Sequence, residues 1–161
     1  MTRTINPGEI RQFQKDSAHW WDESGPFAPL HRVNPVRMEF MVGVLEQHAP
    51  HLLNNPKTWT HLDVGCGGGL VAEPFARLGA RVTGLDADPQ AIAVAQAHST
   101  AAGLDIAYRV ESIEEFRQNC HPGTGRDSGV TRSRPAPGRH SVFDTITALE
   151  IIEHVDAPDL F

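Results

Sequence analysis

Several things are scarce in this chain, and each scarcity excludes a class of protein. It has two cysteines, Cys66 and Cys120, in 161 residues. That is too few for a disulfide framework and points to a reducing cytosol. No apolar run approaches the length needed to span a bilayer. The N-terminal stretch "MTRTINPGEIRQFQKDSA" lacks the apolar core of a signal peptide, and Glu9 and Asp16 do not suit a transit peptide. The expectation is a soluble, cytoplasmic protein, with contact at a membrane surface left open. Basic charge is also short. Fourteen Lys and Arg against twenty Asp and Glu give a net charge of -6, which argues against a general nucleic-acid binder. What remains is ordinary globular text, 40% hydrophobic and 21% charged, long enough for one domain with a core.

Residues 1 to 50 read as helical segments, an N-terminal cap or substrate lid, broken where Pro26, Pro29 and Pro35 interrupt "SGPFAPLHRVNPVR". From 51 to 161 the text alternates. "WTHLDV" reads as a buried strand, "LVAEPFARLG" as a helix stopping at Gly79, and "RVTGLD" as a second strand. Asp88 and Pro89 open a helix that runs through "PQAIAVAQAHSTAAG". "IAYRV" and "VFDTITAL" supply the third and fourth strands, with "IEEFRQ" a short helix after the third. Strands alternating with helices of this length predict an α/β fold, a doubly wound parallel sheet with right-handed crossovers. The segment 120 to 139 departs from that rhythm. Four Gly, three Pro, four Arg and no aromatic residue predict a disordered insertion, a solvated loop in preference to a phosphate or RNA contact.

The chemistry gathers at "THLDVGCGGGLVAE". A strand, a glycine-rich turn and a helix N-terminus form a nucleotide site, because backbone N–H groups face the ligand and glycine admits it closely. The pattern is Asp63-x-Gly65-x-Gly67-x-Gly69. No Gly-Lys-Ser/Thr closes it, so it is not a P-loop, and Leu70 stands where a dinucleotide fingerprint needs its last glycine. An aspartate just before the loop is unwelcome beside a pyrophosphate and suits a cationic ligand with an amino group. Asp86, at the end of the second strand, sits where an acid accepts the two ribose hydroxyls of a nucleoside. Cys66, within the loop, reads as a small space-filler. A nicotinamide-dependent oxidoreductase shares the fold class but is disfavoured by Asp63 and by the glycine spacing.

"LDVGCGGG" followed by "VTGLD" resembles the S-adenosylmethionine-binding core of class I methyltransferases. "WWDESGPFAPLHRVNPVR" and "EIIEHV" further resemble the ubiquinone-biosynthesis O-methyltransferases, over residues 10 to 116 and 141 to 161. The resemblance implies a Rossmann-like sheet that begins in the order 3-2-1-4, with its C-terminal strands missing here. It implies S-adenosyl-L-methionine as cofactor and a catechol hydroxyl on a polyprenylated ring as acceptor. It also implies cofactor contacts at Arg37, Gly65, Asp86 and Leu149, beside the Asp63, Gly67 and Gly69 already singled out. A peripheral membrane or biosynthetic-complex contact is in keeping with such an acceptor. Because the chain stops after the fourth strand, an inactive remnant that keeps cofactor affinity stands as the alternative.

"EIIEHV" places Glu150, Glu153 and His154 on one face if the segment is helical. Such a trio is either a solvated charged face or a cation site, and its oxygen-rich donors favour Mg²⁺ over Zn²⁺. The resemblance supports Mg²⁺ at these residues, where a cation on both catechol oxygens would lower their pKa. Without metal, His154 is the natural general base. Trp20, Trp21, Phe27 and His31 read equally as a lid over a prenylated ring or as packing of the N-terminal helices.

Overall fold

The computed structural model describes residues 15–119 and 143–151. Four parallel strands form the sheet: β1 (Thr60–Val64), β2 (Arg81–Asp86), β3 (Ile106–Val110) and β4 (Thr145–Ala148), in the order β3-β2-β1-β4. This is the start of the order that the resemblance implies. Between them lie α3 (Ala72–Arg77), α4 (Pro89–Ala101) and α5 (Ile113–Asn119), preceded by α1 (Ala28–His48) and α2 (Pro50–Asn54). Because β1 and β2 are central, both of their faces are buried, as parallel sheets require. Leu62, Val64 and Leu85 pack with Phe116 on one face. On the other, Trp59, Phe75, Val82, Ile92 and Tyr108 pack with Leu45 of α1 and Leu52 of α2.

The strands lie where the sequence puts them, and Asp88 caps α4 through a 2.9 Å bond from the Gln90 amide. Two local expectations are corrected. Residues 28 to 48 form one uninterrupted helix of 21 residues. Pro29 falls in its first turn, where no amide partner is lost, and the helix continues through Pro35. The second correction is at Glu150, which has φ 57°. A residue in the left-handed region cannot begin the right-handed helical arc predicted for "EIIEHV". The predicted insertion at 120 to 139 lies outside the described residues, as do Glu153 and His154.

Candidate cofactor site

The loop after β1 turns through left-handed conformations at Gly65, Gly67 and Gly69. Backbone bonds fix its shape: the Cys66 amide donates to Leu85 O at 2.9 Å, and the Gly69 amide to Cys66 O at 2.9 Å. The space above the loop is taken. A Cβ on Gly67 would lie 2.5–2.6 Å from the six-membered ring of Trp20, and one on Gly68 would meet the same indole. Ile151 crowds Gly65 and the Tyr108 hydroxyl crowds Gly69 in the same way. The glycines therefore serve a close approach on every side of the turn.

Asp86 flanks this loop. Its Oδ2 accepts the Gly67 amide and its Oδ1 the Asp88 amide, each at 2.8 Å. Burial raises its pKa, and the two amides pull the other way. Each carboxylate oxygen retains acceptor capacity for a further donor, so the geometry fits a diol. Asp63 lies behind the loop at 2% exposure. Thr147 Oγ1 donates to its Oδ1 at 2.7 Å, while Oδ2 has no hydrogen-bond partner among the described residues. Burial first, and then the Asp86 charge, raise the Asp63 carboxyl to about 7, against the Thr147 hydroxyl and the Ala72 amide. A buried carboxylate oxygen with no partner is an invitation to a cation or donor.

The N-terminal segment straps across the loop. Ser17 Oγ donates to Asp88 Oδ2 at 2.5 Å, Trp21 Nε1 to Gly68 O at 2.9 Å, and Asn34 Nδ2 to Leu70 O at 2.7 Å. Trp20 stacks on Phe27, centroids 3.8 Å apart, and its carbonyl lies 2.7 Å from His31 Nε2. Trp21 stacks on His98 at 3.4 Å, and His98 Nδ1 is bonded to the buried Glu73 at 2.6 Å, which also pairs with Arg77. The four aromatic residues thus serve as packing against the glycine loop. Trp21→Phe keeps an aromatic ring, smaller than the indole, and loses the hydrogen bond to Gly68 O. We expect it to lower unfolding stability by about 0.5–1.5 kcal/mol, measurable by denaturant titration.

The sequence-predicted residues divide clearly. Asp63, Gly65, Gly67, Gly69 and Asp86 converge on one loop. Arg37 and Glu150, 113 residues apart, form an ion pair, and half-buried Leu149 follows β4 beside them. Glu150 is left-handed, a conformation that costs a side-chain-bearing residue about 1–2 kcal/mol. Among the described residues, no group of three His, Cys, Asp or Glu is placed to hold a metal. Sequence reasoning missed the direct contact of Trp20 with the loop, the Glu73–His98–Trp21 stack, and the buried His61 beside Thr145 and Thr147.

Residues 62–124 match the methyltransferase domain family. The chain is 40% identical over 161 residues to the ubiquinone biosynthesis O-methyltransferase of Azorhizobium caulinodans, covering 98% of this chain and 56% of that one. It is 37% identical over 154 residues to the enzyme of that name from Sodalis glossinidius, covering 96% and 51%. The chain spans about half the length of the curated relatives it matches. Overlap with solved structures is partial. The magnesium protoporphyrin IX methyltransferase of Synechocystis, with bound SAH, shares 20% identity at a TM-score of 0.39, covering 47% of this chain and 35% of that one. The chain thus matches the methyltransferase domain family across its glycine loop and is similar along nearly its whole length to ubiquinone biosynthesis O-methyltransferases.

Proposed function

We propose that this chain carries the S-adenosyl-L-methionine site of an O-methyltransferase that acts on a catechol hydroxyl of a polyprenylated ubiquinone precursor. The observation that carries this reading is the buried Oδ2 of Asp63, which has no hydrogen-bond partner among the described residues, beside a glycine loop flanked by Asp86. The cofactor, when bound, supplies a methyl group on a sulfonium sulfur. The chain's own residues bind and orient it. Asp86 accepts the ribose hydroxyls, Asp63 faces the cationic amino-acid end, and the amides around Gly65 to Gly69 line the approach. Arg37 is the cation available to the cofactor's carboxylate once it leaves Glu150, and Leu149 offers an apolar edge. A ligand resting on Gly67 and Gly68 must displace the Trp20 indole, so tryptophan fluorescence is expected to change on binding and to stay unchanged in Trp20→Phe.

The acceptor end is supported by the family alone. In this reading a phenolate oxygen attacks the methyl in line, with proximity supplying much of the rate. Proton removal falls to His154, and Glu150, Glu153 and His154 are the residues that would hold a Mg²⁺ ion, which would lower the pKa of a bound catechol oxygen. Of these ligands only Glu150 is described, and its carboxylate is already paired with Arg37, so a cation there competes with the guanidinium. The fit for metal is therefore poor with Arg37 in this position. Among the described residues no helix is long and apolar enough to cross a membrane. A peripheral contact that delivers the prenylated acceptor belongs to the proposal, as does the division into an N-terminal cap over 1–50 and a cofactor domain over 51–161.

Asp86→Ala is expected to weaken S-adenosylmethionine binding by about 1.5–3 kcal/mol, the range for hydrogen bonds to a charged acceptor, read by calorimetry. Unchanged affinity would remove Asp86 from the ribose role. Methyl transfer from labelled cofactor to a prenylated catechol tests the activity itself.

A further inference from the structure

The pairing of β1 with β4 sets His61 beside Thr145 and Asp63 beside Thr147. Alternation along both strands turns all four side chains to the same face of the sheet, where the His61 ring stacks on Phe75 with centroids 3.7 Å apart. A parallel strand with both faces buried is normally apolar, so this polar row needs a reason. Its bonds form a continuous chain. Trp59 Nε1 donates to Thr145 Oγ1 at 2.7 Å, and Thr145 Oγ1 lies 2.8 Å from His61 Nδ1. His61 Nε2 lies 3.0 Å from Thr147 Oγ1, which donates to Asp63 Oδ1 at 2.7 Å. Trp59 and His61 are fully buried, and Asp63 is 2% exposed.

The direction of the chain follows from counting protons. An indole N–H can only donate, and each threonine hydroxyl has one proton. Thr145 receives from Trp59, so its own proton goes to His61 Nδ1. His61 is then the neutral tautomer with its proton on Nε2, which it donates to Thr147, and Thr147 donates to Asp63. Every polar hydrogen has an acceptor. The reverse direction needs a protonated Asp63, and it leaves Thr145 with two incoming donors and no acceptor in the row for its own proton. Burial lowers the His61 pKa to about 4, so the ring is uncharged near neutrality and carries one proton, whichever way the chain runs. The groups that face Asp63 include Asp86, which opposes its charge, Thr147 and the Ala72 amide, which favour it, and the Cys66 thiol and Tyr108 hydroxyl, whose own ionisation it opposes.

We infer that Trp59, Thr145, His61 and Thr147 form a one-way hydrogen-bond chain that holds Asp63 as an oriented carboxylate with Oδ2 available to a cationic ligand. His61 is thus a positioning residue for the site. The ligand in this inference rests on the S-adenosylmethionine reading above, but the chain and its direction do not.

The test separates the two. Imidazole ¹⁵N NMR on the whole chain at about pH 8 reads the His61 tautomer directly. The proton is expected on Nε2, with Nδ1 bare. A proton on Nδ1, or a doubly protonated ring, overturns the chain whatever the ligand turns out to be. Thr147→Val breaks the last link. It is expected to weaken S-adenosylmethionine about tenfold, the effect of one lost bond to a charged group, and Thr147→Ser is expected to restore it to within about threefold. Equal affinity in Thr147→Val and the unaltered chain overturns the positioning role. Absence of binding by the unaltered chain, with Nε2 protonated, overturns the cofactor reading and leaves the chain of bonds standing.

Discussion

Gly67→Val is expected to destabilise the fold by about 2–5 kcal/mol and to abolish cofactor binding. Gly67 has φ 51°, a left-handed conformation that costs a side-chain-bearing residue about 1–2 kcal/mol, and a β-branched one at least that. The added side chain would also meet the Trp20 ring, and overpacking of this kind costs about 1–3 kcal/mol. Against a typical domain stability of about 5–15 kcal/mol, the loss is large. The two contributions can be separated. Trp20→Ala in the Gly67→Val background should relieve the clash and leave the backbone strain, so denaturant unfolding should recover part of the loss. Full recovery would mean that the left-handed turn is unimportant. No recovery would mean that Trp20 does not lie on the loop.

Asp63→Asn is expected to move binding and stability in opposite directions. The Asp63 carboxyl has a folded pKa of about 7 against an ordinary 3.8, with burial as the main cause. Between those values the folded chain holds a proton that the unfolded chain has released. Stability therefore falls as pH rises from about 4 to about 7, and levels off above it. Asparagine lacks this slope. Near pH 8 the variant should be more stable than the unaltered chain by about 1–3 kcal/mol, the order of an uncompensated buried polar group. The gain should shrink toward nothing near pH 4. Over the same range of conditions, S-adenosylmethionine affinity should fall about tenfold to a hundredfold, because a charge-assisted contact becomes a neutral one. A functional carboxylate held at the expense of stability is a common compromise at binding sites. A variant that is less stable at pH 8 would show that Asp63 is structural, and unchanged affinity would show that its free oxygen meets no cation.

The parts of the fold that follow from local pattern were legible in the sequence. "RVTGLD" and "IAYRV" are strands to the residue, and Asp88 with Pro89 opens α4 as capping chemistry requires. The glycine loop was legible because only glycine tolerates those turns at low cost, and Asp86 because its distance from the loop is set by one strand–helix–strand unit. The parts that depend on tertiary register were not. Pro35 suggested a break, yet α1 continues through it, with Asn34 bonded across to Leu70 and Leu45 buried in the core. "EIIEHV" has helical spacing, but the turn out of β4 sets Glu150 left-handed against Arg37. His61 reads as an ordinary strand residue until β4, more than eighty positions later, places Thr145 and Thr147 beside it. The role of Trp20 was ambiguous for the same reason: nothing within its own segment shows that it reaches Gly67 and Gly68.

The central claim is that this loop is built for a nucleoside carrying a cationic amino-acid end. Titration of the chain with S-adenosylhomocysteine, with NAD as comparator, tests it most directly. Saturable calorimetric binding of S-adenosylhomocysteine at one site is expected, abolished by Gly67→Val and weakened by Asp86→Ala, with NAD giving no comparable heat. Tighter binding of NAD, or S-adenosylhomocysteine binding indifferent to both substitutions, would contradict it.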